Sequence, residues 1–245
     1  MGALPDRELL RAIRREIDES PFTGEGHRKL WARLRRRGIC TSRKRVLRLC
    51  REAGLLAPTA KVRRRARRLH EGTITVERPD TLWATDPTQA WTDRDGRCAV
   101  FALVDHATGE AWVDAAPRMD RFAAADLLRE AIASDRSRPP RLRGSHSATT
   151  AAPAFALATT RPSSTTSASN ARRRSTTSPR PTAASKFIQT LKEQVLWIER
   201  FETLEELRAR VREFARTYNE HWLLERHGYR SPREARQRLL AAQAG

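Results

Sequence analysis

Three amphipathic segments open the chain and predict three helices. Apolar residues recur at helical spacing over residues 6–19 and again over residues 27–37. After a glycine-containing turn, Thr41 or Ser42 can cap a third helix that ends near Ala53. Two short helices joined in this way are typical of a helix-turn-helix motif.

From residue 81 the pattern changes to short alternating runs. It predicts three strands and one helix, at 82–88, 98–104, 111–116 and 122–133. Asp86 lies inside the first of these strands, and Asp105 follows the second. An antiparallel sheet crossed by a helix predicts an α/β domain.

Residues 139–185 consist almost entirely of Ala, Ser, Thr, Pro and Arg. A segment this poor in aliphatic side chains cannot bury enough surface to offset the entropy of ordering it, so we expect disorder. Helical patterns return at Phe187, continue from a Thr203 cap whose capping-box partner is Glu206, and end in a helix that begins near Pro232.

The charge is strongly basic and unevenly distributed. The 48 Lys+Arg against 29 Asp+Glu give a net charge of +19, with +12 in residues 1–80 and +9 in residues 134–186. Such blocks indicate a polyanionic partner, although a solvated arginine-rich surface has the same composition. Three cysteines are too few for a disulfide scaffold, and no apolar run approaches the ~18–20 residues of a membrane span. We therefore expect a cytoplasmic protein.

The start of the third helix carries the candidate DNA contacts. In a helix-turn-helix motif this end normally meets base edges and phosphates, and a basic run at 61–68 follows as a backbone-contacting linker. A small three-helix core with a charged exterior is the alternative. The candidates are Ser42, Arg43, Lys44, Arg45, Arg48, Arg63, Arg64 and Arg65.

Several short motifs occur together in a characteristic order. They are the helix-turn-helix at 27–56, the strand at 83–88, Val104-Asp105, the stretch at 187–193, Tyr218-Asn219 and the stretch at 228–232. In this order the chain resembles transposases of bacterial insertion sequences that have a retroviral-integrase-type catalytic core.

The resemblance implies a fold class and a domain organisation. The expected class is α/β, with an N-terminal helix-turn-helix domain, an incomplete RNase H-like integrase core and C-terminal helices. The corresponding segments are 1–60, the linker 61–80, the first half of the core 81–133, the low-complexity segment 134–186 and the C-terminal helices 187–245.

The resemblance also implies partners and a chemistry. The family binds double-stranded DNA at element ends and targets, often beside a companion helix-turn-helix protein, and a homo-oligomer is possible. Its members use two Asp and one Glu to hold two Mg²⁺ (or Mn²⁺) ions for strand transfer. Asp86 matches the first Asp, whereas Thr149 and Ser185 stand where the second Asp and the Glu are expected. Asp105 is outside the triad, so we expect a structural role for it.

The missing carboxylates can be explained by a shift of reading frame. The family's Asp-His-Gly can be encoded so that a reading one nucleotide later gives Thr-Thr-Ala, which occupies 149–151. Residues 182–185 can likewise be encoded so that the other frame contains a Glu codon that ends within the codon of Ser185. Between positions 149 and 185 there are 35 residues, which is the family's spacing. We interpret about 134–140 to 185 as translated out of frame. A natural low-complexity insertion is the alternative.

The expected function is therefore that of a transposase by descent. The intact family cleaves and transfers DNA strands, but this chain should be inactive. The other hypothesis is a non-enzymatic helix-turn-helix protein that acts as a repressor or a dominant-negative partner.

Overall fold

The computed structural model describes residues 4–58, 76–134 and 183–244. The chain divides into two compact units, one within Met1–Arg64 and His221–Ser231, the other within Arg65–Glu220 and Pro232–Gly245. The basic run at 61–68 and most of the low-complexity segment lie outside the described residues.

The first unit contains the three expected helices. They are α1 (Asp6–Asp18), α2 (His27–Arg36) and α3 (Arg43–Glu52). Gly38 has a φ of +80°, a conformation that glycine adopts without steric cost, and it begins the turn from α2 to α3. The shared core consists of Leu9, Ile13, Leu30, Leu34, Val46, Leu49 and Cys50.

A segment near the C-terminus completes this first unit. Within His221–Ser231, Leu223 and Tyr229 are buried against Ala32 of α2. Leu224 and Arg230 form an isolated β-bridge that closes the loop between them. The sequence had placed all of 187–245 with the integrase core. Residues 221–231 belong instead to the first unit, because Leu223 and Tyr229 are buried against α2.

The second unit is built on an antiparallel sheet of order β1-β2-β3 in the described residues. Its strands are β1 (Trp83–Thr92), β2 (Gly96–Asp105) and β3 (Ala111–Ala116). β1 passes through Pro87 and ends four residues beyond the predicted limit. Proline is tolerated here because β1 is an edge strand of the described sheet.

One face of the sheet is covered by α4 (Arg121–Ser134). Side chains alternate along a strand, so every second residue of β2 points to this face. The cluster on it contains Trp83, Ala99, Phe101, Leu103, Leu127 and Ala131. The alternate residues of β2, including Ala102, are buried as well.

The C-terminal helices begin earlier than predicted. α5 spans Ala183–Leu191 and packs against β1 and β2. Residues 183–186 are therefore helical, although the sequence placed them in the disordered segment. The reason is that Ala184 lies on the same buried face of the helix as Phe187, Ile188 and Leu191.

Beyond α5 the chain forms a π-helical turn (Lys192–Leu196), α6 (Leu204–His221) and α7 (Pro232–Ala244). Thr203 caps α6 as predicted, since its Oγ1 accepts the Glu206 N–H at 3.3 Å. The Glu206 carboxylate accepts the N–H of Glu202 at 2.7 Å, one residue before the position that a capping box uses.

Candidate nucleic-acid interface

Ser42 starts α3. Its side-chain oxygen accepts the backbone N–H of Arg45 at 3.2 Å, which is the N-cap hydrogen bond that the sequence predicted. Ser42 thus fixes the point at which the next residues leave the turn, and this places Arg43 and Lys44 in the first turn of α3, exposed to solvent.

Two of the predicted DNA contacts are instead engaged by carboxylates. Arg45 Nε donates to Asp6 Oδ1 at 2.7 Å, and Arg48 donates to Asp6 Oδ2 at 2.5 Å and to Glu52 at 3.1 Å. These bonds, that of Arg48 first, hold the pKa of Asp6 below its usual value. Arg45 and Arg48 therefore link α3 to α1, and their contact with DNA stays a prediction.

The remaining candidates differ in their surroundings. The Arg43 guanidinium lies 4.3 Å from the centroid of the Trp31 ring and 5.5 Å from that of Tyr229. Lys44 makes no hydrogen bond or ion pair with the described residues. Arg63, Arg64 and Arg65 lie outside the described part of the chain.

A cleft of about 450 Å³ opens beside Arg43. Arg36 holds one of its sides in place, because its Nη2 donates to the Tyr229 carbonyl at 3.0 Å. The Trp31 indole N–H donates to the Thr41 carbonyl at 2.8 Å and fixes the ring. Sequence reasoning missed this site, although it had noted the motif at 228–232. The residues lining the cleft include Trp31, Arg35, Arg36, Arg43, Glu225 and Tyr229.

A buried ionic cluster lies at the start of α2. The Glu25 carboxylate accepts hydrogen bonds from Ser20 Oγ at 2.8 Å and from Arg33 Nε at 2.7 Å, and it lies 3.4 Å from Lys29 Nζ. Lys29 Nζ also lies over the Trp222 ring, 2.7 Å from its centroid. Burial lowers the pKa of Lys29 to about 7, against the opposing effect of Glu25. Near neutral pH, Lys29 is therefore a poor phosphate ligand.

Two of the three expected carboxylate positions of the second unit, Asp86 and Ser185, lie in the described residues. Asp86 lies in β1 opposite Ala102, is half-buried and makes no hydrogen bond or ion pair with the described residues. Ser185 lies in α5, and Thr149 lies outside the described residues. Among the residues described, no three His, Cys, Asp or Glu side chains form a group that could hold a metal ion. One carboxylate and one hydroxyl do not fit two Mg²⁺ ions, which are hard cations held through carboxylates.

Asp105 anchors the turn between β2 and β3. Its side chain is fully buried and accepts the N–H groups of Ala107 and Thr108, both at 3.2 Å, together with the Thr108 hydroxyl at 2.7 Å. Burial raises the pKa of Asp105 in spite of these bonds. All three donors come from the turn itself, which agrees with the structural role expected for this residue.

Comparison with known proteins bears on the first unit. Residues 5–66 match the family model of an HTH-like domain. No curated protein and no solved structure is significantly similar to the chain. No helix in the described part of the chain is long and apolar enough to span a membrane. The N-terminal unit is therefore an HTH-like region, joined in one chain to a small antiparallel sheet and C-terminal helices.

Proposed function

We propose that this chain is a DNA-binding protein of the transposase family that contacts double-stranded DNA through its first unit. The match of residues 5–66 to an HTH-like domain carries the proposal, because this domain is found at the N-termini of transposases and integrases. The second helix of such a motif normally lies in the major groove with its first residues at the base edges. Here that helix is α3, which begins with Arg43 and Lys44.

The charges around α3 support the same conclusion. Lys44 has no acceptor among the described residues, and Arg43 contacts two aromatic rings but no carboxylate. Cations without a carboxylate partner are the groups that neutralise phosphates and release counterions, which makes binding depend on salt. Residues 1–80 carry a net charge of +12 that would add to this attraction.

In this proposal the second unit descends from an RNase H-like integrase core that has lost its chemistry. Asp86 provides one carboxylate, and the expected positions of its two partners hold Thr149 and Ser185. Mg²⁺-dependent strand transfer needs all three carboxylates, so the activity left to this polypeptide is DNA binding, as a repressor or a dominant-negative partner. The companion protein and the homo-oligomer stay predictions.

The coding DNA tests the proposed loss of reading frame. We expect codons 130–190, translated one base earlier, to read Leu-Arg-Asp-His-Gly near position 149 and Glu at position 185. A chain corrected at both ends of the segment should then regain Mg²⁺-dependent strand transfer. If the earlier frame lacks these residues, the low-complexity tract is genuine. The chain is then a DNA-binding protein, and the interpretation as a frame-disrupted enzyme is wrong.

Substitutions at the start of α3 test the DNA-binding function. We expect Arg43→Ala and Lys44→Ala each to weaken the binding of a DNA duplex about tenfold, because each removes a charge-assisted contact to the strand. The affinity is measured by fluorescence anisotropy with a labelled duplex and the full chain. Lys186→Ala, which removes an exposed lysine of α5, is the matched control and should leave the affinity unchanged. Wild-type affinity in both α3 variants would show that this helix does not contact DNA.

A further inference from the structure

Two guanidinium groups in the cleft of the first unit lack an anionic partner. Arg35 lies with its guanidinium 5.1 Å from the centroid of the Trp31 ring, and Arg43 lies 4.3 Å from the same centroid. Neither side chain donates a hydrogen bond to, or forms an ion pair with, any described residue. Stacking on an aromatic ring restrains a guanidinium while its N–H groups remain available at the edges. The cleft therefore presents restrained donors and two uncompensated positive charges.

The one carboxylate among the lining residues does not neutralise this pair. Glu225 is held by Arg28, whose Nη1 lies 3.1 Å and 3.2 Å from its two carboxylate oxygens. The local balance of charge is thus positive, and it favours an anion over a neutral or cationic ligand.

A second observation at the cleft also points to a missing ligand. Tyr229 is 8% exposed, and its buried hydroxyl makes no hydrogen bond of normal length to a described group, although the Glu225 carboxylate lies near it. Burial raises the pKa of Tyr229, and the charge of Glu225 and the interaction of its carboxylate with the hydroxyl raise it further, so the hydroxyl keeps its proton and can donate. A buried hydroxyl without a partner is unfavourable, and such groups often mark the place of an absent ligand or water.

The size and lining of the cleft suggest the class of ligand. A volume of about 450 Å³ is larger than a phosphate group requires, and the aromatic rings of Trp31 and Tyr229 form an apolar wall. Aromatic rings beside arginines are the surfaces on which nucleic-acid bases stack. The combination of anion donors and aromatic wall matches one nucleotide unit of a DNA strand.

We infer that this cleft is a nucleotide-binding site in which Arg35 and Arg43 hold a phosphodiester group and the rings of Trp31 and Tyr229 contact the attached sugar and base. The inference rests on the proposed DNA binding and deepens it. It makes Tyr229, from the C-terminal segment 221–231, part of the DNA-binding surface. The nucleotide belongs either to a duplex or to an unpaired strand, and the chemistry of the contact is the same in both.

Two substitutions in the full chain test the site. We expect Arg35→Gln to weaken DNA binding about tenfold and to reduce the slope of log affinity against log salt by about one, because one phosphate contact is lost. Tyr229→Phe should weaken binding about three- to tenfold without lowering the midpoint of thermal unfolding, because the hydroxyl it removes makes no hydrogen bond of normal length to the described residues. Arg216→Gln, which removes an exposed arginine of α6, controls for the change in net charge and should have no effect.

Each variant is titrated against a labelled duplex and against a labelled single strand of the same sequence. The inference is supported if Arg35→Gln and Tyr229→Phe both weaken binding relative to Arg216→Gln, and the probe that loses more affinity identifies the source of the nucleotide. It is overturned if either variant behaves like the control on both probes while Lys44→Ala still weakens binding. Absence of DNA binding by the wild-type chain would instead remove the proposed function itself.

Discussion

Asp105→Ala is expected to lower the free energy of unfolding by about 2–4 kcal/mol, because the substitution leaves buried donors without an acceptor. The wild-type carboxylate accepts two backbone N–H groups and one hydroxyl, all from Ala107 and Thr108. No other acceptor replaces it, since the side chain is fully buried. Denaturant unfolding followed by circular dichroism measures the loss.

Asp86→Ala is the matched control for this prediction. Asp86 is also a strand aspartate, but it has no hydrogen bond or ion pair with the described residues, so its removal should change the stability by less than about 0.5 kcal/mol. A larger loss in Asp86→Ala than in Asp105→Ala would contradict the roles assigned here.

The free energy of unfolding should also depend on pH through Asp105. Its pKa is raised in the folded state, so its protonated form contributes stability at low pH, and this contribution is lost as the pH rises through the raised pKa. The wild-type chain should show this loss relative to Asp105→Ala, which lacks the titrating group.

Lys29→Met is expected to stabilise the first unit at pH 6 to 7 and to remove a pH dependence at higher pH. The pKa of Lys29 is about 7 in the folded state against an ordinary 10.5, so folding disfavours the charged form. The stability that comes from this depressed pKa is fully present above pH 10.5 and is lost as the pH falls towards 7. The wild-type free energy of unfolding should therefore rise between these values, by up to about 1.4 kcal/mol per pH unit.

Methionine retains an apolar chain against the Trp222 ring, while Glu25 keeps its bonds to Arg33 and Ser20. The flat profile of Lys29→Met should be compared with that of Lys44→Met, which removes an exposed lysine from the same unit and should follow the wild type. Equal pH profiles for Lys29→Met and the wild type would show that Lys29 titrates normally.

The elements specified by local sequence signals were predicted closely. The ends of α1, α2 and α3 lie within one residue of the expected limits. The cap at Ser42 decides where α3 begins, and Gly38, with its positive φ, follows the end of α2. The limits of β3 coincide with the prediction, since the alternation of buried Ala111, Val113 and Ala115 with more exposed neighbours follows from a local pattern of period two.

Features that depend on distant residues were not predictable. Arg45 and Asp6 are 39 positions apart, so nothing local to α3 indicates that its arginines pair with α1. The packing of Tyr229 on Trp31, 5.7 Å between ring centroids, joins residues from opposite ends of the chain. The cleft formed in this way could be described only once the fold was known.

The positions of the expected carboxylates could be located in the sequence, but the start of the helix that contains one of them could not. The position of Asp86 in a strand was predicted and is observed, and the replacement of its partners at Thr149 and Ser185 is visible in the sequence itself. The start of α5 was misplaced because alanine and serine at 183–185 were grouped with the low-complexity tract. In the structure they extend a helix whose buried face begins at Ala184.

If the first unit binds DNA mainly through cations that have no carboxylate partner among the described residues, duplex binding by the full chain should depend strongly on salt. If Arg35, Arg43 and Lys44 each neutralise a phosphate, the slope of log affinity against log salt should be about −3 or steeper. Fluorescence anisotropy titrations at several NaCl concentrations measure this slope. No binding at low salt, or an affinity that does not change with salt, would show that these cations do not neutralise phosphates.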